Sequence, residues 1–261
     1  MDQVLFATYG HDIAIYRQRA EQFQCGLELH LFSEPAVLSD GLAETISSYQ
    51  KQLRGFQGRL GIHGAFYDMI SASLDPEIVA VTRKRFRQNL HIAAELQAEY
   101  VVFHANYMGG FKLANYRPGW HERQVAFWNT LLAEAAPLGV TVLLENMWAS
   151  DPTIICDVLA AVDQPCFRAC LDVAHAALYS DRPVEEWITV LGPYLHACHL
   201  NNHDGQTDLH WPLNKGIIDY PAVLALLRNR PQAPLLTLEL PDWESIEESL
   251  ALLELPHNEA N

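Results

Sequence analysis

The sequence predicts an α/β chain folded as a (β/α)8 TIM barrel, and three observations lead there. Eight short runs rich in Val, Ile, Leu and aromatic residues alternate with eight longer stretches of helical periodicity over 261 residues. Neither GxGxxG nor a P-loop motif follows an early run, so the fingerprint expected of a doubly wound nucleotide-binding sheet is missing. No linker or shift in composition divides the chain, so residues 1–261 are read as one barrel domain.

The elements follow in order. VLFATYG (4–10) precedes a helical pattern over 11–24, and GLELHLF (26–32) precedes one over 39–55. GRLGIHGAF (58–66) leads to the pattern at 75–98, opened by Asp75-Pro76-Glu77, an acid cap followed by Pro at the first helical position. YVVFHAN (100–106) leads to 117–138, which Gly139 closes. VTVLLENM (140–147) is followed by 152–163, with Asp151 before Pro152. FRACLDVAH (167–175) and LHACHLNN (195–202) precede 183–191 and 219–230, the latter opened by Asp219. LLTLEL (235–240) and a pattern over 243–254 complete the set.

Composition narrows the function. Hydrophobic residues make up 49% and charged residues 19%, which excludes disorder as the main architecture. No apolar run is long enough to span a bilayer, and MDQVLFATYG does not read as a secretory signal. The five cysteines form no CxxC pair, so reduced thiols and a cytoplasmic location are expected. Seventeen basic against 32 acidic residues leave a net charge of −15, which disfavours nucleic acids and anionic membranes as partners.

Barrel active sites lie at the C-terminal ends of the strands. Metal-ligand side chains recur at that end of six consecutive runs, from the third to the eighth: His63, His104, Glu145, Asp172 with His175, His199, and Glu239. Asp208 and His210 follow in the loop after the seventh. The strand period of two puts Thr141, Leu143 and Glu145 on one face and Val140, Val142 and Leu144 on the other. So many buried polar groups need partners, and a shared cation supplies them. Histidine with Asp and Glu, without cysteine, suits zinc, manganese, iron or cobalt.

These residues carry a resemblance. IHGAFYD (62–68), VVFHAN (101–106), LLENM (143–147), LDVAH (171–175), HLNN (199–202), DLH (208–210) and LEL (238–240), taken in order, resemble the xylose isomerase-like barrel superfamily. That group includes sugar and sugar-phosphate isomerases and epimerases, and endonuclease IV. The resemblance implies one divalent ion (zinc, manganese, magnesium or cobalt) on Glu145, Asp172, His199 and Glu239, with Glu145 and Glu239 moving protons on opposite faces of a sugar through an enediolate. It also implies small sugar substrates and permits a homo-oligomer. Up to three ions are implied if His63, His104, His175, Asp208 and His210 act as the corresponding endonuclease IV residues do. The alternatives are therefore an endonuclease IV-like phosphodiester hydrolase and an inosose dehydratase-like lyase. Two departures weigh on these names. Leu209 stands where the endonuclease pattern has Arg, and Gly205 where the better-known ketose epimerases have Arg.

Other positions are assigned by type. Glu28 is expected either to orient a sugar hydroxyl or to form a salt bridge inside the barrel. His175 suits a substrate hydroxyl or a second metal, and His63 and His104 suit a metal or hydrogen bonds to a sugar. Phe66, Trp148 and Trp211 are expected to face the C–H surfaces of a sugar. Lys112, Arg117 and Lys215 are the cations placed for a phosphate. His11, His30, His91, His121, His196 and His257 receive no role.

Overall fold

Each strand pairs in parallel with its neighbour in sequence, and the last pairs with the first, which closes an eight-stranded barrel. The structure is a computed structural model that describes residues 1–110 and 113–255. The strands are β1 Val4–Thr8, β2 Gly26–Leu29, β3 Leu60–His63, β4 Tyr100–His104, β5 Thr141–Glu145, β6 Phe167–Asp172, β7 Leu195–Leu200 and β8 Leu235–Leu238. Each falls within one predicted run.

The helices are α1 Ala14–Phe23, α2 Pro35–Ser39, α3 Leu42–Gln52, α4 Pro76–Leu96, α5 Tyr116–Ala135, α6 Thr153–Val162, α7 Val173–Tyr179, α8 Val184–Val190, α9 Tyr220–Arg228 and α10 Trp243–Ser249. Asp75 caps α4 by accepting the Glu77 amide at 2.8 Å, and Asp219 caps α9 by accepting that of Ala222 at 3.2 Å. Gly139 ends the turn after α5 with φ of 70°.

Two short helices are additions to the sequence reading. α2 precedes the second helical stretch, which α3 occupies, and Gly41, with φ of 70°, stands between them. The sixth run stops at Asp172 rather than His175. The Asp172 carboxylate accepts the His175 amide at 2.6 Å, so it ends β6 and starts α7 in one residue.

The core has two layers. Val142 and Leu144 face the helices, where Phe86 stacks on Phe103 at 3.9 Å and meets Trp128. Leu143 points inward with Leu5, Tyr100, Val102, Cys170, Ala197 and Leu235, filling the barrel beneath its mouth. Among the described residues, no helix is long and apolar enough to cross a membrane.

Gly61 on β3 makes room for the Tyr100 ring: a Cβ there would lie 2.2 Å from Tyr100 Cζ. Gly61→Ala is therefore expected to cost about 1–3 kcal/mol through overpacking. This would appear as a lower urea midpoint, and an unchanged midpoint would mean that the ring is free to shift.

Candidate metal centre

The register of the barrel levels the predicted residues at one end. His104 pairs with Glu145 across β4–β5, and Asp172 with His199 across β6–β7. Glu239 follows β8 directly. Asp172 and His199 are fully enclosed, and Glu145 and Glu239 are nearly so.

Their polar atoms converge. His199 Nδ1 lies 3.0 Å from Glu239 Oε2 and 3.4 Å from Glu145 Oε2. Glu145 Oε2 is also 3.5 Å from His63 Nε2 and 3.4 Å from His104 Nε2. His175 bridges outward, with Nδ1 3.2 Å from Glu145 Oε1 and Nε2 3.1 Å from Asp208 Oδ2. His210 Nε2 approaches Asp208 Oδ1 at 3.4 Å. Three groups result among the described residues: His63, Glu145 and His199; Asp172, His199 and Glu239; and His175, Asp208 and His210. A fourth, Glu145, Asp172 and His175, links them.

The donor set fits a divalent cation. Ligand atoms about 2.0–2.1 Å from a tetrahedral zinc ion lie about 3.4 Å from one another, close to the spacings above. Glu145 Oε2, Glu239 Oε2, Asp208 Oδ1, His175 Nδ1 and both ring nitrogens of His199 are buried without a hydrogen bond of sound geometry, although oppositely charged groups are near. The residues that carry them all belong to the groups above, as side chains around an ion do.

Burial alone would push every carboxyl up and every imidazole down. Asp172 follows this, its pKa raised to about 6 by burial, with His175 opposing and Glu145 and Glu239 reinforcing the rise. For Glu145 and Glu239 the neighbouring imidazoles outweigh burial and hold both carboxyls well below their ordinary range. Burial likewise opposes charge on His175, His199 and His210, but the facing acidic groups prevail. His175 and His199 rise well above the ordinary range, and His210 rises to about 10.

Neighbouring side chains hold this geometry. Asn146 clamps the backbone of Asp172: its Nδ2 donates to the Asp172 carbonyl at 2.9 Å and its Oδ1 accepts the Asp172 amide at 2.8 Å. The Tyr220 hydroxyl ties down Asn201, whose Nδ2 is 3.4 Å from Asp172 Oδ2.

A cavity of about 730 Å3 opens above the cluster, walled by Tyr9, His30, Phe66 and Tyr67 and floored by His63, His104, His175, Asp208, His210 and Glu239. Phe66 stacks on His104 at 5.0 Å and meets Tyr67 in a tilted contact at 4.1 Å. The nine predicted ligand-type residues thus come together, with Phe66 beside them.

Several predicted contacts do not reach the cavity. Of the two arrangements expected of Glu28, a sugar contact or a salt bridge, the structure gives the second: Glu28 is fully buried beneath His199 with both its oxygens taken. Trp148 lies in a neighbouring hollow with Met108, Ser150 and Tyr179. Trp211 has its backbone paired to Asn202 and its side chain half exposed outside the lining. Lys215 pairs with Glu248 at 2.8 Å, and Arg117 with Asp157 at 2.9 Å, rather than facing the cavity. Lys112 lies outside the described residues.

His30, which has no role in the sequence reading, lines the cavity with Nε2 3.0 Å from Glu28 and its ring 4.8 Å from His63. The signal for it is the i, i+2 spacing from Glu28 on β2, which places both on the inward face.

Fold and site together define an eight-stranded barrel with a histidine–carboxylate cluster at its C-terminal mouth. The chain belongs to the xylose isomerase-like TIM barrel family, whose profile matches residues 26–255. It is 30% identical to a Thermus thermophilus protein, TTHB071, whose crystals were soaked with ZnCl2; the match covers 96% of each chain with a TM-score of 0.77. Over 211 residues it is 23% identical to an uncharacterized protein of Methanocaldococcus jannaschii, covering 76% of this chain and 71% of that one. A D-tagatose 3-epimerase-like protein superimposes with a TM-score of 0.80 over 96% of this chain and 95% of its own, and at 17% identity that likeness is one of fold.

Asn146→Ala would orphan two buried backbone groups of Asp172, each worth about 1–3 kcal/mol. The expected result is a clear loss of thermal stability with weaker zinc uptake. Unaltered melting would mean that the Asp172 backbone finds other partners.

Proposed function

We propose that this protein is a divalent-metal-dependent sugar isomerase or epimerase in which Glu145 and Glu239 carry the proton. The observation that supports this most is the approach of both carboxylates to His199 Nδ1, at 3.4 and 3.0 Å, from strand ends three places apart around the barrel. Glu145, Asp172, His199 and Glu239 would hold the ion, which, when bound, polarises a carbonyl and its neighbouring hydroxyl and stabilises an enediolate.

The protein's own groups do the rest. One glutamate takes the proton from the substrate carbon and the other returns it, with the roles exchanged in the reverse direction. The neighbouring imidazoles keep both ionised. Phe66 and Tyr67 offer an apolar wall to the C–H face of a sugar. His63, His104 and His175 stand within reach of substrate hydroxyls. Among the described residues, Lys215 and Arg117, two of the three cations expected at a phosphate, pair with Glu248 and Asp157 instead, which favours a free sugar. The fold likeness to a D-tagatose 3-epimerase-like protein agrees with this reading.

A second reading, phosphodiester hydrolysis, draws on the four overlapping ligand groups, which together contain eight of the nine residues expected to hold up to three ions. The net charge of −15 opposes a nucleic-acid partner. Metal analysis of the purified chain separates the two readings: about one ion per chain supports the epimerase, and about three support the hydrolase.

Glu145→Gln and Glu239→Gln are each expected to slow incorporation of solvent deuterium into ketoses by about 10²–10⁴-fold while the fold persists. Exchange at the wild-type rate in both variants would overturn the proposed roles.

A pH dependence follows from the imidazoles. A raised folded-state pKa stabilises the protonated form; that stabilisation is complete below the ordinary histidine range and is lost as pH rises through the raised values. Cation binding must displace those protons. Zinc loading at neutral pH should therefore release protons and tighten as pH rises, measured by calorimetry in buffers of different ionisation enthalpy. Equal heats in all buffers would mean that the rings are already neutral.

A further inference from the structure

His203 lies just past β7 and takes no part in the proton-transfer scheme. It is fully enclosed, whereas Asp204, Gly205, Gln206 and Thr207 after it are exposed. A buried polar ring needs partners within the protein, and both of its nitrogens have one. The Gly205 amide donates to Nδ1 at 2.8 Å, and Nε2 lies 3.2 Å from the carbonyl oxygen of Ala174 in α7. A backbone N–H only donates and a carbonyl only accepts, so Nδ1 carries the lone pair and Nε2 the proton. Two backbone groups that do not titrate thus settle the ring's roles.

The two bonds join different things. The first closes the turn at Gly205, whose φ of 85° favours glycine. The second joins this turn to the helix that carries His175. Asp208 comes three residues after Gly205 and reaches the cavity, with Oδ2 3.1 Å from His175 Nε2 and Oδ1 3.4 Å from His210 Nε2. The rest of the loop is held independently. Asn202 and Trp211 exchange backbone hydrogen bonds at its base, and Asn202 Nδ2 donates to the Leu213 and Ile218 carbonyls. His210 Nδ1 meets the Glu239 carbonyl on the far side. Asp204, by contrast, bonds within the turn, accepting the amides of Gln206 and Thr207.

We infer that His203 is a positioning residue: it latches the loop after β7 onto α7 and so seats Asp208 against His175 in the cavity wall. Its bearing on substrate rests on the reading above, in which that cavity holds a sugar. Two conservative substitutions separate the two bonds. Asparagine places an oxygen near the Nδ1 position and can accept from Gly205, but it is too short to reach Ala174. Glutamine places an NH2 near the Nε2 position and can donate to Ala174, but it leaves the Gly205 amide without this acceptor. Alanine loses both bonds.

The test uses the full chain, free of metal and labelled with 15N-histidine. Two-bond 1H–15N spectra of the wild type are expected to show Nε2–H and a bare Nδ1 on His203. Nδ1–H there would overturn the latch, and this measurement decides the matter even if a variant fails to fold. In folded variants the ring signals of His175 and His210 report the place of Asp208. They are expected to shift in H203A and H203N and to keep their wild-type positions in H203Q, while the His196 signals, from the opposite end of β7, stay fixed throughout. The Gly205 amide is expected to exchange with solvent about tenfold faster in H203A and H203Q than in H203N or the wild type. Unmoved His175 signals in folded H203A and H203N would overturn the positioning role, and equal shifts in H203N and H203Q would overturn its assignment to the Ala174 bond. No metal or substrate enters these measurements. A wild type that moves no deuterium into any ketose would therefore overturn the sugar reading and leave the latch to stand or fall on the spectra.

Discussion

Negative charge buried at the mouth of the barrel is the constraint on which the rest of the site depends. Glu28, Glu145, Asp172 and Glu239 are all withdrawn from water, and each would cost several kcal/mol if left without compensation. The neighbouring positions are accordingly occupied by imidazoles: His30 and His199 at Glu28, His63, His104, His175 and His199 around Glu145, and His199 again at Glu239. Yet several buried oxygens and nitrogens still lack a hydrogen bond of sound geometry. Imidazole alone leaves these atoms without partners, and their grouping is of the kind that suits a cation.

The compensation reaches down into the barrel. Gly61 leaves space for Tyr100, Tyr100 donates to Glu28, and Glu28 meets His199. Apolar packing and site geometry are thus linked by a short chain of contacts, and the ligand-type atoms nearest Glu28 sit on strand ends rather than on loops. Rigid placement of this kind suits proton transfer, where small displacements are costly.

The rim carries backbone strain instead. Asp68, Asn106, Trp148 and His210 have left-handed φ of 57°, 50°, 55° and 47°, and all lie in loops at the site end of the barrel. Such residues cost of order 1–3 kcal/mol each unless the surroundings hold them. His210 is held by its Nδ1 contact with the Glu239 carbonyl at 2.8 Å, which turns its Nε2 toward Asp208.

Much of this was legible in the chain. The alternation of eight apolar runs with eight helical stretches determined the closed parallel barrel, because all eight strands and the longer helices announce themselves by local periodicity, whereas the short α2 and α7 do not. The rule that function gathers at C-terminal strand ends picked out His63, His104, Glu145, Asp172, His175, His199 and Glu239, and resemblance grouped Glu145, Asp172, His199 and Glu239 as the expected holders of one ion. What only the tertiary structure decided was which polar side chains look up into the cavity and which are spent below or outside it. Glu28 and His30 share a strand face, but one is consumed by four partners and the other lines the cavity. Trp148, Trp211 and Lys215 sit in loops whose path no local pattern encodes, and they ended elsewhere. Periodicity tells which face a side chain takes; depth and partnership depend on residues brought together from distant strands.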